Sequence, residues 1–88
     1  MTYTIVWRNE ARQALSRLRA IDGASAKLLT SAVRALAADP HPDISNRLGG
    51  SQFWRLRLAD LRVIYEVDDG ENVIHIYNVG RALPSRPA

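Results

Sequence analysis

The sequence predicts an α+β domain in the order β-α-α-β-β-β: an antiparallel sheet with an N-terminal helical hairpin packed on one face. Three observations predict it. Two stretches between residues 9 and 38 carry apolar residues at helical spacing. From Phe53 to Val79 apolar and polar residues alternate with a period of two. Two short turn signals, Ala59-Asp60 and Asp69-Gly70, cut that second pattern.

Each element follows from local chemistry. Tyr3–Trp7, "YTIVW", is β-branched and aromatic and reads as a strand. Asn9 is a suitable N-cap, and Ala11, Leu15 and Leu18 form the stripe of a helix from about Asn9 to Ala20. "IDGA" breaks it. A second helix starts at Asp22 or Ser25 and runs to about Ala38. Its stripe is Leu29, Val33, Leu36 and Ala37, with Leu28 and Ala32 beside it. Asp39-Pro40 ends it, because the residue before proline disfavours the helical region. So short a link makes the pair an antiparallel hairpin. "PHPDISNRLGGSQ" is a loop, followed by strands Phe53–Leu58, Leu61–Val67 and Val73–Val79. Residues 1–80 make one domain, and residues 81–88 read as a C-terminal tail.

Composition narrows the function classes. The chain has 88 residues, 47% of them apolar, enough for one modest core. It has no cysteine, so disulfides and thiolate metal sites are excluded and a cytoplasmic setting is expected. No apolar run approaches the roughly 20 residues of a membrane span, so no membrane partner is expected, and no signal peptide is evident. The formal net charge is +3, and Lys27 is the one lysine among 12 basic residues. A small basic domain points to an anionic partner, such as nucleic acid or an acidic protein.

The turns give the sheet a register. A two-residue turn at Ala59-Asp60 pairs Arg57 with Arg62 and Trp54 with Tyr65. A two-residue turn at Asp69-Gly70 pairs Glu66 with Val73, Tyr65 with Ile74, Ile64 with His75 and Arg62 with Tyr77. Opposite residues share a face. One face then carries Trp54, Leu56, Leu58, Leu61, Val63, Tyr65, Ile74 and Ile76, and packs on the helices. The other carries Phe53, Arg55, Arg57, Arg62, Ile64, Glu66, His75 and Tyr77.

That second face has two readings. It is either a solvated surface whose long arginines splay apart, or a site for phosphate. Arginine recognises phosphate in a planar, bidentate way and keeps its charge. Arg55, Arg57, Arg62 and Arg81 are the candidates to line such a groove. His75 is either a structural strand histidine or an acid or base for proton transfer. Tyr77 and Phe53 are either cross-strand packing or platforms for an unpaired base. Glu66 is expected to pair with Arg55, with a general-base role as the alternative. His41 sits in a proline-rich loop with no evident role. Two distant histidines make no metal signature. Phosphate loops, dinucleotide fingerprints and nucleophile elbows are absent from the sequence.

The block "RLGGSQFWRLRLADLRVIYEVDDG" and the closing "IHIYNVG" resemble the RelE/ParE superfamily of bacterial toxins, along most of the chain. The resemblance implies a RelE-like microbial ribonuclease fold. It also implies a type II toxin neutralised by a cognate antitoxin. RelE-type members cut mRNA in the ribosomal A site without metal or other cofactor, by attack of the 2′-hydroxyl on the adjacent phosphate. Carried over, Arg55 and Arg57 match the basic pair of one strand, Arg62 matches a phosphate-contacting arginine, and Arg81 stands near the basic residue after the last strand. The ending "GRALPSRPA" lacks the family's terminal aromatic. Arginine is also a poor proton acceptor, so proton transfer would fall to His75, Tyr77, Glu66 or groups of the ribosomal RNA. The alternatives are a ParE-type inhibitor of DNA gyrase, or a relic that only binds its antitoxin.

Overall fold

The computed structural model describes residues 2–81. The elements are β1 (Thr4–Trp7), α1 (Asn9–Ile21), α2 (Gly23–Ala35), β2 (Ser45–Arg47), β3 (Phe53–Leu58), β4 (Leu61–Asp68) and β5 (Val73–Arg81). The expected helices and strands are all present, with ends shifted by a few residues. The sheet has five strands in the order β1-β5-β4-β3-β2. It is mixed rather than purely antiparallel, because β1 lies parallel to β5. The fifth strand, β2, is "SNR", polar and three residues long, with no alternation to mark it. It forms by pairing with β3, Ser45 opposite Leu56. The last strand continues through Arg81, one residue into the expected tail. Residues 82–88 lie outside the described residues.

One residue joins the helices. Asp22 ends α1, its N–H donating to the Leu18 carbonyl at 2.7 Å. Its side chain then caps α2, accepting from the Ser25 N–H at 3.1 Å and the Ser25 hydroxyl at 2.7 Å. At the start of α1 the capping position belongs to Arg8 rather than Asn9, and no side chain caps it. Ala11, Leu15 and Leu18 of α1 and Ala26, Leu29 and Val33 of α2 turn inward. They meet Leu56, Leu61, Val63, Tyr65, Ile74 and Ile76 of the sheet in one core. Burying each large aliphatic side chain there contributes about 1.5–3 kcal/mol. Tyr65 is fully buried, and its hydroxyl donates to the Pro40 carbonyl at 2.7 Å and accepts from the Ser45 hydroxyl at 2.8 Å.

The two hairpins differ. The β3–β4 turn matches the predicted register at every pair, from Leu58 with Leu61 to Trp54 with Tyr65. Ala59 takes φ 56°, the left-handed position such a turn requires. The β4–β5 connection is wider than predicted. Asp68 pairs with Val73, leaving a four-residue loop in which Asn72 takes φ 56° and Asp68 Oδ1 accepts from the Glu71 N–H at 3.1 Å. Glu66 therefore faces His75, and Tyr65 faces Ile76, in place of Val73 and Ile74. The shift is two residues, so the faces survive. A bulge then interrupts the pairing: Tyr65 faces Ile76, but Ile64 faces Asn78. Beyond it Arg62 faces Gly80, not Tyr77, and Leu61 faces Arg81. The cause is packing. Ile76 and Val79 are both buried yet three residues apart, and strict alternation would expose one of them.

Candidate nucleic-acid interface

The helices cover one face of the sheet. On the other, the side chains of β3, β4 and β5 lie in three rows. The first holds Phe53, Glu66 and His75, with Val6 of β1 beyond. The second holds Arg55, Ile64 and Asn78, with Tyr77 at the bulge. The third holds Arg57, Arg62 and Gly80. The predicted face is thus real for Phe53, Arg55, Arg57, Arg62, Glu66, His75 and Tyr77. Arg57 is exposed, while Arg55 and Arg62 are half-buried.

The charges on this face are unpaired. Among the described residues, every ion pair involves Arg81, and none involves Arg55, Arg57 or Arg62. Arg57 and Arg62 are direct cross-strand neighbours, a like-charge pair that costs stability. Glycine at position 80 leaves no β5 side chain beside Arg62. Arg55 Nε and His75 Nδ1 are buried without a hydrogen-bond partner. Glu66 does not reach Arg55 as expected. Its Oε1 instead accepts from the Tyr77 hydroxyl at 3.2 Å. Burial first, and then this carboxylate, raises the Tyr77 pKa above its ordinary value. Phe53 meets the Tyr77 ring edge to face at 5.2 Å.

Two arginines defy the sequence reading. Arg81 is not on this face. The bulge turns it to the helix side, where its guanidinium bonds Asp22 and, at 3.0 Å, Asp60. Arg8, which the sequence did not single out, joins the face: its guanidinium lies over the Tyr77 ring at 5.7 Å. Only the parallel docking of β1 beside β5 brings it there, and no local pattern signals that. His41 also has a place, its ring 4.3 Å from that of Trp54.

The arrangement divides the chemistry. Arg57 and Arg62 form a cationic end. Glu66, His75 and Tyr77 form a titratable end, with Arg55 between. Glu66 follows Arg62 by four residues on one strand, a separation of about 13 Å. The cationic end can hold a phosphodiester and stabilise added negative charge. It cannot accept a proton. No cluster of metal-ligating side chains occurs among the described residues, and none of their helices is long and apolar enough to cross a membrane.

A two-helix layer on a mixed five-stranded sheet is the architecture of solved RelE-like toxins. The family model described as "ParE toxin of type II toxin-antitoxin system, parDE" matches residues 5–83, and the chain belongs to that family, within the RelE/ParE superfamily. Solved structures agree on the fold. The archaeal RelE–RelB complex from Pyrococcus horikoshii OT3 matches with a TM-score of 0.77 at 28% identity, over 92% of this chain and 96% of that one. The isolated E. coli RelE toxin matches with a TM-score of 0.79 at 19% identity, over 94% and 87%. The toxin–antitoxin complex RelBE2 from Mycobacterium tuberculosis matches with a TM-score of 0.77 at 20% identity, over 92% and 99%. Comparison with curated proteins finds no match.

Proposed function

We propose that this toxin cuts mRNA in the ribosomal A site and is neutralised by a cognate antitoxin. The observation that carries the reading is the set of three guanidiniums, Arg55, Arg57 and Arg62, on one uncovered face with no acidic partner. Arg57 and Arg62 hold the scissile phosphate. The 2′-oxygen bonds to phosphorus and the 5′-oxygen leaves, giving a cyclic phosphate and a 5′-hydroxyl. The two arginines stabilise the extra charge of the five-coordinate transition state. One proton must leave the 2′-hydroxyl and one must reach the 5′-oxygen. Glu66 and His75 lie about 13 Å away along the strand and the Tyr77 hydroxyl is engaged with Glu66, so both transfers are assigned to groups of the ribosome. Phe53, Tyr77 and Arg8 offer a stacking surface for a neighbouring base.

This division makes the chain a ribosome-dependent enzyme. Purified protein should leave naked RNA intact and cut message on programmed ribosomes. Replacing His75 by Ala should leave the cutting rate within a few-fold. A loss as deep as that of the arginine variants would return the proton transfer to His75.

A second reading has its own support. Arg81, near the position of the family's basic residue after the last strand, is bound to Asp22 and Asp60 on the helix side. A face lacking that group suits a ParE-type inhibitor of DNA gyrase. Induction in cells separates the two, with message cleavage and plasmid supercoiling followed together. Cut messages with normal supercoiling support the ribonuclease, and relaxed DNA with intact messages supports the gyrase inhibitor. Co-expression of its cognate antitoxin should abolish either effect.

A further inference from the structure

The net charge of this protein resides in its helices. From Asn9 to Ala35 there are five basic and two acidic residues, an excess equal to the net charge of the whole chain, +3. Outside that span basic and acidic residues balance, at seven each. Three of these five basic residues are gathered in one place. Arg19, Lys27 and Arg34 line a groove of about 400 Å³ along α2, with Gly23, Thr30 and Ser31 between them. Neither acid of the hairpin offsets it. The Asp22 carboxylate is taken up by Ser25 and Arg81. Glu10 stands in a different cleft, beside β1.

The lining distinguishes between partners. Lys27 and Arg34 are seven residues apart on one helix, about 10 Å along its axis. That length spans about three phosphates of one duplex strand. Between the cations the groove is lined by small or hydroxyl-bearing residues, Gly23, Ala26, Thr30 and Ser31, and a Cβ added at Gly23 would meet nothing within 4 Å. Arginine, lysine and hydroxyl side chains are the usual contacts to a phosphate backbone. A docked peptide would instead need apolar anchors. The large exposed apolar residues among those described, Ile21, Leu28 and Ile44, do not line the groove.

We propose that this groove binds the phosphodiester backbone of a nucleic-acid duplex, on the opposite side of the sheet from the arginine face. The protein then has two anion surfaces with different tasks: the sheet face takes one strand at a reacting phosphate, and the helical groove anchors to a folded nucleic acid. The anchor does not depend on whether the sheet face cuts RNA. RNA and DNA duplexes share the chemistry, so both belong in the test.

Fluorescence anisotropy of the full chain with a short RNA duplex, and with a DNA duplex of the same sequence, should be measured over a series of salt concentrations. Replacing Arg19, Lys27 and Arg34 together by Gln should weaken binding about tenfold at low salt and flatten the logarithmic salt dependence by about 2 to 3. The pair Lys27→Gln with Arg34→Gln, both exposed, serves if the triple variant folds poorly, with a change of about 1 to 2 expected. Circular dichroism checks the fold of each. Arg17→Gln, at an exposed helical arginine outside both the groove and the sheet face, should leave duplex binding within about twofold. Stronger binding of the RNA duplex identifies a ribosomal anchor, and stronger binding of DNA a chromosomal one. An unchanged salt slope in the groove variants overturns the proposal. So does a loss of affinity for polyglutamate with duplex binding intact, which makes the groove an acidic-protein surface.

Discussion

Arginines on the two sides of the sheet meet opposite fates. On the helix side, Arg81 is held between Asp22 and Asp60 and ties the α1–α2 junction to the β3–β4 turn. On the open side, Arg57 and Arg62 stand across from each other, and neither forms an ion pair among the described residues. An ion pair neutralises its own field and stabilises the fold. An unpaired cationic couple costs stability and keeps its field for a ligand. The residue type is the same, and the side of the sheet decides its use.

The largest effect should come from the open side. Arg57→Ala with Arg62→Ala should lower ribosome-dependent cutting by about 100-fold or more without lowering the melting temperature, because a like-charge pair is removed. Arg81→Ala should do the reverse, with cutting nearly unchanged and melting a few degrees lower, since its bridges are partly exposed. An Arg81→Ala variant that folds normally and no longer cuts would erase the contrast.

A smaller effect should come from the buried polar contact on the helix side. Tyr65→Phe leaves the Pro40 carbonyl and the Ser45 hydroxyl without their partner. Urea unfolding should show a loss of about 1–2 kcal/mol, with cutting per folded molecule unchanged.

The next effect depends on pH. The bonds from Ser25, and then Arg81, hold the Asp22 carboxyl below its ordinary value of 3.8. A depressed carboxyl pKa adds stability above the unfolded value, and that stability disappears as pH falls through the folded one. The melting temperature should therefore fall below about pH 3.8. Asp22→Asn should melt lower at neutral pH, and its difference from the parent should shrink in that acid range. A constant difference across pH would remove the carboxylate from the latch.

The smallest effect concerns the turn beneath the arginine pair. Ala59 occupies the left-handed region at φ 56°. Ala59→Gly should relieve that strain and stabilise by about 0.5 kcal/mol, read as a small rise in melting temperature with the Arg57–Arg62 pairing kept.

Much of this was legible in the chain. The stripes Ala11-Leu15-Leu18 and Leu29-Val33-Leu36 mark the helices and their buried sides. Alternation from Phe53 onward separates the apolar face from the arginine face, and the Ala59-Asp60 turn sets the β3–β4 register. The Asp69-Gly70 signal misled, because Asn72 also accepts a left-handed conformation and Asp68 bonds the Glu71 N–H, which widens the loop. The bulge left a trace: Ile74, Ile76 and Val79 break the period of two. Read as a core triplet, they announce an extra residue in β5.

Sequence alone therefore determined both helices, every strand but β2, the two faces of the sheet and the three arginines that share one of them, because periodicity and turn chemistry act between near neighbours. Tertiary structure decided which arginines belong to the platform. Joint burial of Ile76 and Val79 forces the bulge that turns Arg81 to Asp22 and Asp60. Parallel pairing of β1 with β5 sets Arg8 over Tyr77. Both outcomes depend on contacts between residues distant in the chain, and only the closed core brings those residues together.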